Sequence, residues 1–207
     1  VSGCRSLLDG PEPFAVVFDI GGGSTQVAWL SLDSRKDILH GTISVAFGVV
    51  TLCEKYGSES LHPKIYQQII DEVGEQLAPF CDCHKIAERC VTGQVQMLGT
   101  SGTVTTLAGI EKKLMYYDRK QVDGSTLTFA AIRKLCNDLC RMDISTRSKV
   151  PCIGKDRADL VIVGCAVLEA MCRRWPVGKL RVADRGIREG ILCLLYTSDA
   201  ADDYIRV

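Results

Sequence analysis

The residues best suited to chemistry lie in "DIGGGSTQ", Asp19 to Gln26, a turn between the apolar runs "FAVVF" and "VAWL". Glycine tolerates positive φ and lets backbone N–H groups approach a ligand with no Cβ in the way. Successive N–H groups that point inward form a nest for an anion such as phosphate. A plain hairpin turn would be shorter and would need fewer glycines. The turn therefore predicts a phosphate site made by Gly21, Gly22, Gly23, Ser24 and Thr25.

The surroundings of this turn exclude two common nucleotide-binding motifs. A Walker A loop contains a lysine and opens a helix, whereas this turn has no lysine and is followed by a strand pattern. A dinucleotide fingerprint also leads from its glycines into a helix.

Asp19 adds a metal to the prediction. A bare carboxylate repels phosphate unless a divalent cation lies between them, and Mg²⁺ is usually held by one or two carboxylates, waters and substrate oxygens. We therefore expect Mg²⁺ as the cofactor, with Asp19 as its anchor. The amide of Gln26 is suited to orienting a water, so Asp19 and Gln26 are the predicted catalytic residues.

A second glycine turn occurs in "LGTSGTVTTLAG", where a strand pattern ends and a helix pattern begins. Free N–H groups and the helix dipole make such a helix start a second anion site. Simple N-capping by Ser101 or Thr103 is the alternative explanation. Two turns in one domain predict a phosphate chain held between them, with the second turn formed by Gly99, Thr100, Ser101, Gly102 and Thr103.

The hydrophobic pattern predicts the elements that position these turns. Three strand patterns open the chain as an antiparallel meander, namely "FAVVFDI", "TQVAWLSL" and "ILHGTISVAFG". The period then becomes helical, with Ile65, Ile69, Val73 and Leu77 on one face. Helices and strands alternate afterwards, from "VQMLG" and "TTLAGIEKKL" through "TFAAIRKLCNDLCRM" and "RADLVIVGCAVLEAMCRRW" to "LRVAD" and a closing helix, "IREGILCLL". This order predicts one α/β domain.

Composition limits the partners and the location. The 207 residues carry a formal net charge of zero, so no electrostatic footprint for nucleic acid or an anionic membrane is present. No apolar run is long enough to span a bilayer. Eleven cysteines, an odd number, favour reduced thiols and a cytoplasmic protein. For "CDCH" at 81–84 with Cys90 we expect a surface turn, because the spacing is not that of zinc knuckles.

The two ends of the sequence look unlike the rest. The chain begins at Val1, already inside a pattern, which suggests that a preceding part is missing. "LLYTSDAADD" resembles sequence found at the ends of unrelated chains. We expect a domain over residues 1–195 and a non-native or disordered tail over residues 196–207.

Four segments together carry a family resemblance over roughly residues 1–195: "FAVVFDIGGGSTQVAWL", "LGTSGTVTTLAGI", "PCIGKDRADLVIVGCAVLEAM" and "LRVADRGIREGIL". They resemble the exopolyphosphatase/guanosine pentaphosphate phosphatases, the Ppx/GppA family of the actin–hexokinase–Hsp70 superfamily. The resemblance implies a ribonuclease-H-like (actin-like ATPase) fold with a mixed sheet and flanking helices. It also implies a two-domain enzyme of which this chain is the second domain. The missing first domain would carry its own phosphate turn and a water-activating glutamate, so the chain alone is expected to be inactive or slow.

The activity implied by the resemblance is Mg²⁺-dependent hydrolysis of terminal phosphoanhydride bonds in polyphosphate or guanosine pentaphosphate, by a homodimer in a bacterial cytoplasm. Asp19 would hold Mg²⁺, while residues 21–24 and 99–103 would grip phosphate from two sides. Lys155, Arg157, Arg185 and Arg188 are candidates for contacts with the polyanion. Pairing of these arginines with acidic neighbours in the sequence is the alternative.

One position departs from the family pattern. The family usually has glutamate where this chain has Gln26, and a neutral amide can position a water but cannot take its proton. Related apyrases have glutamine in a similar turn. Two alternatives to the main prediction therefore stay open: a non-catalytic phosphate- or nucleotide-binding module, and an apyrase-like nucleotide phosphohydrolase.

Overall fold

The structure, a computed structural model, describes residues 5–32, 37–57 and 62–184. The strands are β1 (Phe14–Ile20), β2 (Thr25–Ser31), β3 (Ile38–Val45), β4 (Val95–Thr100), β5 (Thr126–Thr128) and β6 (Lys179–Ala183). The helices are α1 (Val49–Tyr56), α2 (Pro63–Cys83), α3 (Ile86–Val91), α4 (Gly102–Glu111), α5 (Arg119–Val122), α6 (Phe129–Cys140), α7 (Ile144–Arg147) and α8 (Leu160–Arg174), with single 3₁₀ turns at Arg5–Leu7 and Lys155–Arg157.

The strands form one mixed sheet in the order β3-β2-β1-β4-β6-β5. The first three strands are an antiparallel meander, β4 lies parallel to β1, and β6 lies parallel to β4. β5 closes the far edge antiparallel to β6. The predicted α/β fold with an N-terminal three-stranded meander is confirmed.

β1 lies at the centre of the sheet because its sequence is apolar on both faces. Ala15, Val16 and Phe18 are completely buried, as expected of a strand covered from above and below. β3 alternates between exposed and partly buried residues instead, which suits a strand at the edge of the sheet.

The main core lies between one face of the sheet and the helices α2 and α8. The predicted stripe of α2 is confirmed: Ile69, Val73 and Leu77 are buried, and Ile65 packs partly buried against them. α8 is buried on nearly all sides, as is typical of a helix enclosed by other elements.

The polar contacts of Glu72 fasten the end of α1 to α2. The Lys55 ammonium lies 2.8 Å from Glu72 Oε2, and the Tyr56 hydroxyl donates to Glu72 Oε1 at 2.5 Å. These hydrogen bonds from Lys55 and Tyr56 lower the pKa of Glu72 to about 2. The sequence pattern did not predict α1, although its start contacts the first glycine turn.

The cysteines of the described part are free thiols, and several of them are core residues. The predicted surface turn at 81–84 is wrong for Cys81, which is buried in the last turn of α2; the helix continues through Cys83, and His84 is its C-cap. Within the described ranges, no three His, Cys, Asp or Glu side chains group in a way that would hold a metal ion. No helix in these ranges has the length and apolar character needed to cross a membrane.

Some predictions lie outside the described residues. They concern the closing helix at 187–195, the tail at 196–207, Arg185 and Arg188.

The Glu72 contacts predict that the attachment of α1 to α2 weakens at low pH. The folded-state pKa of Glu72 lies below the ordinary 4.5, so its stabilising effect is present above pH 4.5 and is lost as the pH falls toward 2. The melting temperature of wild type should exceed that of Glu72→Gln at about pH 7, and this difference should shrink toward about pH 3. The effect will be modest, because solvent screens the pair. A melting-temperature difference that stays the same across this pH range would contradict the stabilising role of the ionised Glu72 carboxylate.

Candidate functional site

The candidate site lies where β1, β4 and β6 end. Asp19 of β1 is in register with Thr100 of β4, which in turn is in register with Ala183 of β6. A cavity of about 510 Å³ opens beside these strand ends. In α/β sheets, ligands bind outside the carboxyl ends of parallel strands. The lining residues are Asp19, Thr100, Ser101, Gly102, Thr105, Tyr117, Cys152, Ile153, Arg157, Ala183 and Asp184.

The glycine turn caps α1 with its own carbonyl groups. The N–H of Val49 donates to the Gly21 carbonyl at 3.0 Å, and the N–H of Val50 donates to the Gly22 carbonyl at 2.9 Å. The start of α1 is therefore satisfied by the turn and is not left for a ligand. The N–H groups of Gly22 and Gly23 have no acceptor within the described residues, and both glycines are exposed. These two N–H groups are the ones available to an anion.

The physical reason for the glycines differs from the expected one. Positive φ was expected in this turn, but Gly21, Gly22 and Gly23 do not adopt it. A Cβ on Gly21 would lie 2.9 Å from the Ser24 carbonyl oxygen, and a Cβ on Gly48 would overlap the backbone of Gly22. Close approach between two backbone segments is therefore what requires glycine here.

The polar residues of the first turn separate into two groups. Thr25 is fully buried and its hydroxyl donates to the Phe47 carbonyl at 2.6 Å, so the predicted ligand contact by this side chain is wrong. Gln26 lies directly opposite Asp19 in the β1–β2 pair, and directly opposite residues share a face of the sheet. The Gln26 amide donates to the Ser24 hydroxyl at 3.4 Å. Asp19, Ser24 and Gln26 thus form the polar end of this hairpin.

The second turn contributes fewer residues than predicted. Thr100, Ser101 and Gly102 line the cavity. Gly99 does not, because it lies inside β4, where a Cβ would be 2.5 Å from the Phe18 ring. Thr103 is buried with its side chain against Gly164 of α8, and it lines a smaller cavity that Gly21 and Gly22 also line, so its contact with a phosphate stays a prediction. Ser101 does cap α4, since its hydroxyl oxygen accepts from the Val104 N–H at 3.1 Å, and this bond leaves the hydroxyl hydrogen available as a donor to a ligand.

Arg157 lies between the two turns. Its Nη1 atom is 3.1 Å from the point where a Cβ on Gly102 would be. It lines both the main cavity and a smaller one of about 210 Å³ that Gly21 and Gly22 also line. The expected pairing with acidic neighbours is absent among the described residues, since Asp159 instead caps α8 through the Leu160 N–H. The guanidinium of Arg157 therefore lies next to both glycine turns.

A buried arginine holds the segment that carries Arg157. Arg147 is only 2% exposed, and its Nη1 donates to the carbonyl of Ala158 at 2.9 Å. Burial lowers the pKa of Arg147. Its hydrogen bond to the Ala158 carbonyl ties down the backbone next to Arg157.

Asp184 and Tyr117 also line the cavity, although the sequence motifs did not predict them. Asp184 follows β6 directly and is held by Arg119, whose Nη2 donates to the Asp184 carbonyl at 2.6 Å. Burial, and then hydrogen bonding with Asp184, raises the pKa of Tyr117 to about 12. An acid placed directly after a buried strand was the available signal for Asp184. Tyr117 follows a helix in a loop and gave no such signal.

The side chains on the cavity wall suit a Mg²⁺ site with few protein ligands. Asp19 and Asp184 are two carboxylates on the wall of one cavity, and the hydroxyls of Ser101 and Thr105 lie on the same wall. Mg²⁺ is usually bound by one or two carboxylates, with waters and phosphate oxygens completing its octahedron. The residues therefore fit this cofactor.

The strand order, with an antiparallel meander continued by two parallel strands, defines the ribonuclease-H-like α/β fold of actin-like proteins. Residues 2–198 match the model of the Ppx/GppA phosphatase family. The chain belongs to the Ppx/GppA phosphatase family, as the four segments had indicated.

Individual relatives agree with this assignment. The chain is 28% identical over 190 residues to exopolyphosphatase 2 of Mycobacterium tuberculosis, covering 86% of this chain and 54% of that protein. It is 30% identical over 163 residues to a bifunctional 3-dehydroquinate synthase/phosphatase of Fusobacterium nucleatum, covering 74% of this chain and 22% of that protein. The crystal structure of the Aquifex aeolicus Ppx/GppA phosphatase superposes with a TM-score of 0.75 at 26% identity, over 91% of this chain and 58% of that one. The chain thus spans only about half of the first and third of these proteins.

The contact between Gly48 and the glycine turn can be tested by adding one methyl group. Gly48→Ala should lower the free energy of unfolding by about 1–3 kcal/mol, because the new Cβ overlaps the Gly22 backbone and must displace it. Denaturant unfolding measures this change. Gly23→Ala is the matched control, since a Cβ at Gly23 meets nothing within 4 Å and should cost less than about 0.5 kcal/mol. Equal losses in both variants would contradict the close-approach explanation.

Proposed function

We propose that this chain is the second ribonuclease-H-like domain of a phosphohydrolase that releases terminal phosphate from polyphosphate or guanosine pentaphosphate. Membership of the phosphatase family and the exopolyphosphatase among the relatives support this proposal. The observation that carries it is the placement of Arg157 between two turns, in the wall of the cavity that Asp19 also lines. Arg157 and Gly102 line two neighbouring cavities, one beside the first turn and one beside the second, and such a shared cation with N–H donors nearby suits a chain of phosphates.

The terminal phosphate would be held from two sides. The exposed N–H groups of Gly22 and Gly23 bind its oxygens from the first turn. The hydroxyl of Ser101 and the positive end of the α4 dipole bind from the second turn. The guanidinium of Arg157 neutralises charge between them. Catalysis of phosphoryl transfer consists mainly of such positioning and charge neutralisation.

Asp19 and Asp184 would hold the cofactor. Bound Mg²⁺ supplies Lewis-acid polarisation of phosphate oxygens. Asp19 is suited to anchoring because β1 is paired on both sides, which fixes the backbone that carries its side chain. Asp184 is kept in place by Arg119, whose Nε lies 3.3 Å from Asp184 Oδ2.

Gln26 would orient the attacking water, since its amide lies at the polar end of the hairpin beside Ser24. It cannot accept the proton of that water. We propose that the base comes from a first domain, corresponding to the half of the M. tuberculosis and A. aeolicus proteins that this chain does not cover. The chain without that domain would then be slow or inactive.

The second candidate function is a non-catalytic phosphate- or nucleotide-binding module. Gln26 favours it, because the acid usual at this position is absent while the phosphate-binding features remain. Binding without turnover by the natural protein would favour the module, and turnover would favour the hydrolase. The homodimer and the bacterial cytoplasmic location remain predictions.

Asp19→Asn tests the metal anchor. In the natural protein that contains this chain, the substitution should reduce Mg²⁺-dependent phosphate release at least about a hundredfold, because the carboxylate charge at the cation is lost. Phosphate release from long-chain polyphosphate and from guanosine pentaphosphate, with and without Mg²⁺, measures this loss and shows the preferred substrate. The circular dichroism spectrum should stay unchanged. Full activity in the variant would show that Asp19 is not the anchor.

Arg157→Gln tests the cation between the turns. We expect KM for phosphate release to rise about tenfold, the amount typical of a lost charged hydrogen bond. Arg133→Gln is the control, since Arg133 is exposed on α6 and does not line the cavity. The same KM in both variants would remove Arg157 from the site.

A further inference from the structure

The residue that follows β6 is held through its N–H group, its carbonyl group and its carboxylate. This residue, Asp184, lies on the wall of the main cavity. Its N–H donates to Asp123 Oδ1 at 3.0 Å, and its carbonyl accepts from Arg119 Nη2 at 2.6 Å. The carboxylate also meets Arg119, whose Nε lies 3.3 Å from Asp184 Oδ2. One short segment of the chain therefore holds both the backbone and the side chain of Asp184.

That segment is built around α5, a single helical turn of four residues that begins at Arg119. The last residue of the turn, Val122, is completely buried. Just beyond it, the N–H of Gly124 donates to the Val182 carbonyl of β6 at 2.8 Å. Because α5 is fastened to the core and to β6, the backbone that carries the exposed Arg119 side chain has a fixed position next to Asp184.

The contacts restrict how the Asp184 carboxylate can turn. Arg119 lies against Oδ2, and the hydroxyl of Tyr117, on the same cavity wall, also hydrogen-bonds with Asp184. Carboxylates that bind metal ions are commonly oriented in this way by outer hydrogen-bonding residues, and loss of such a residue typically weakens metal binding tenfold or more.

We propose that Arg119 is a positioning residue, which aims the Asp184 carboxylate at a divalent cation in the cavity without touching the cation itself. The proposal rests on the cation-binding role of Asp184 proposed above. It predicts that removal of Arg119 weakens cation binding. A purely electrostatic role predicts the opposite, because a positive charge that repels the cation would be lost. The two roles therefore differ in the sign of the effect.

The test measures Mn²⁺ binding to the natural protein that contains this chain, in the absence of substrate. Mn²⁺ takes oxygen ligands as Mg²⁺ does, and the electron paramagnetic resonance signal of free Mn²⁺ gives the Kd. Arg119→Gln should raise this Kd about tenfold. Arg119→Lys keeps the charge but lacks the planar fork that reaches both the carbonyl and the carboxylate, so its Kd should also rise. In an Asp184→Asn background, Arg119→Gln should raise the Kd no further, because Arg119 acts through that carboxylate.

Lys120→Gln is the matched control. It removes an exposed positive charge from the next residue of α5 and leaves the contacts between Arg119 and Asp184 in place, so the Kd should keep its wild-type value. The melting temperature should change little in all these variants, because exposed ion pairs add little stability.

The outcomes separate this role from the proposed function. An unchanged or lower Kd in Arg119→Gln, or the same tenfold rise in the Asp184→Asn background, would overturn the positioning role and leave the cation site standing. Failure of the wild type to bind Mn²⁺ would overturn the cation site, and the Mg²⁺ part of the proposed function with it.

Discussion

The site depends on one backbone contact, the approach of Gly48 to the first glycine turn. The carbonyls of Gly21 and Gly22 accept from the first N–H groups of α1, and this is possible only because no Cβ separates the two segments. With its carbonyls directed at α1, the turn is left with the N–H groups of Gly22 and Gly23 for a ligand. A hairpin turn and a helix start, each with unsatisfied groups of its own, thus complete one another.

The same contact links the core to the cavity. α1 is fastened at its far end to Glu72 of α2, and α2 packs with α8 over the sheet. The segment preceding α8 carries Arg157, which reaches the second turn at Gly102. The two turns belong to different strands, yet their separation is set by one shared layer of helices. Accurate placement of phosphate-binding groups requires rigid support of this kind.

The sequence predicted the elements with strong periodicity and the residues at strand ends. The predictions of β1 and of the apolar stripe on α2 were correct, because the spacing of apolar residues follows from which face of an element is buried. α1 was missed, since "VVTLCEKY" is short and its start is defined by the carbonyls of a turn more than twenty residues earlier. Thr25 was predicted as a ligand residue from its hydroxyl and Thr103 from its place at a helix start, but each side chain faces protein. Direction of a side chain depends on tertiary contacts, such as that between Thr103 and Gly164, which local pattern does not contain.

The position of β1 has a consequence for motion. A strand bonded on both edges and covered on both faces opens only when the whole domain unfolds, so its amides should be among the slowest to exchange with deuterium. Asp19 belongs to this slowly exchanging strand, whereas Tyr117, which also lines the cavity, lies in the loop between α4 and α5. The backbone at the Asp19 end of the cavity therefore keeps its position until the domain unfolds. Its opposite side can adjust within nanoseconds to microseconds, the range typical of loops.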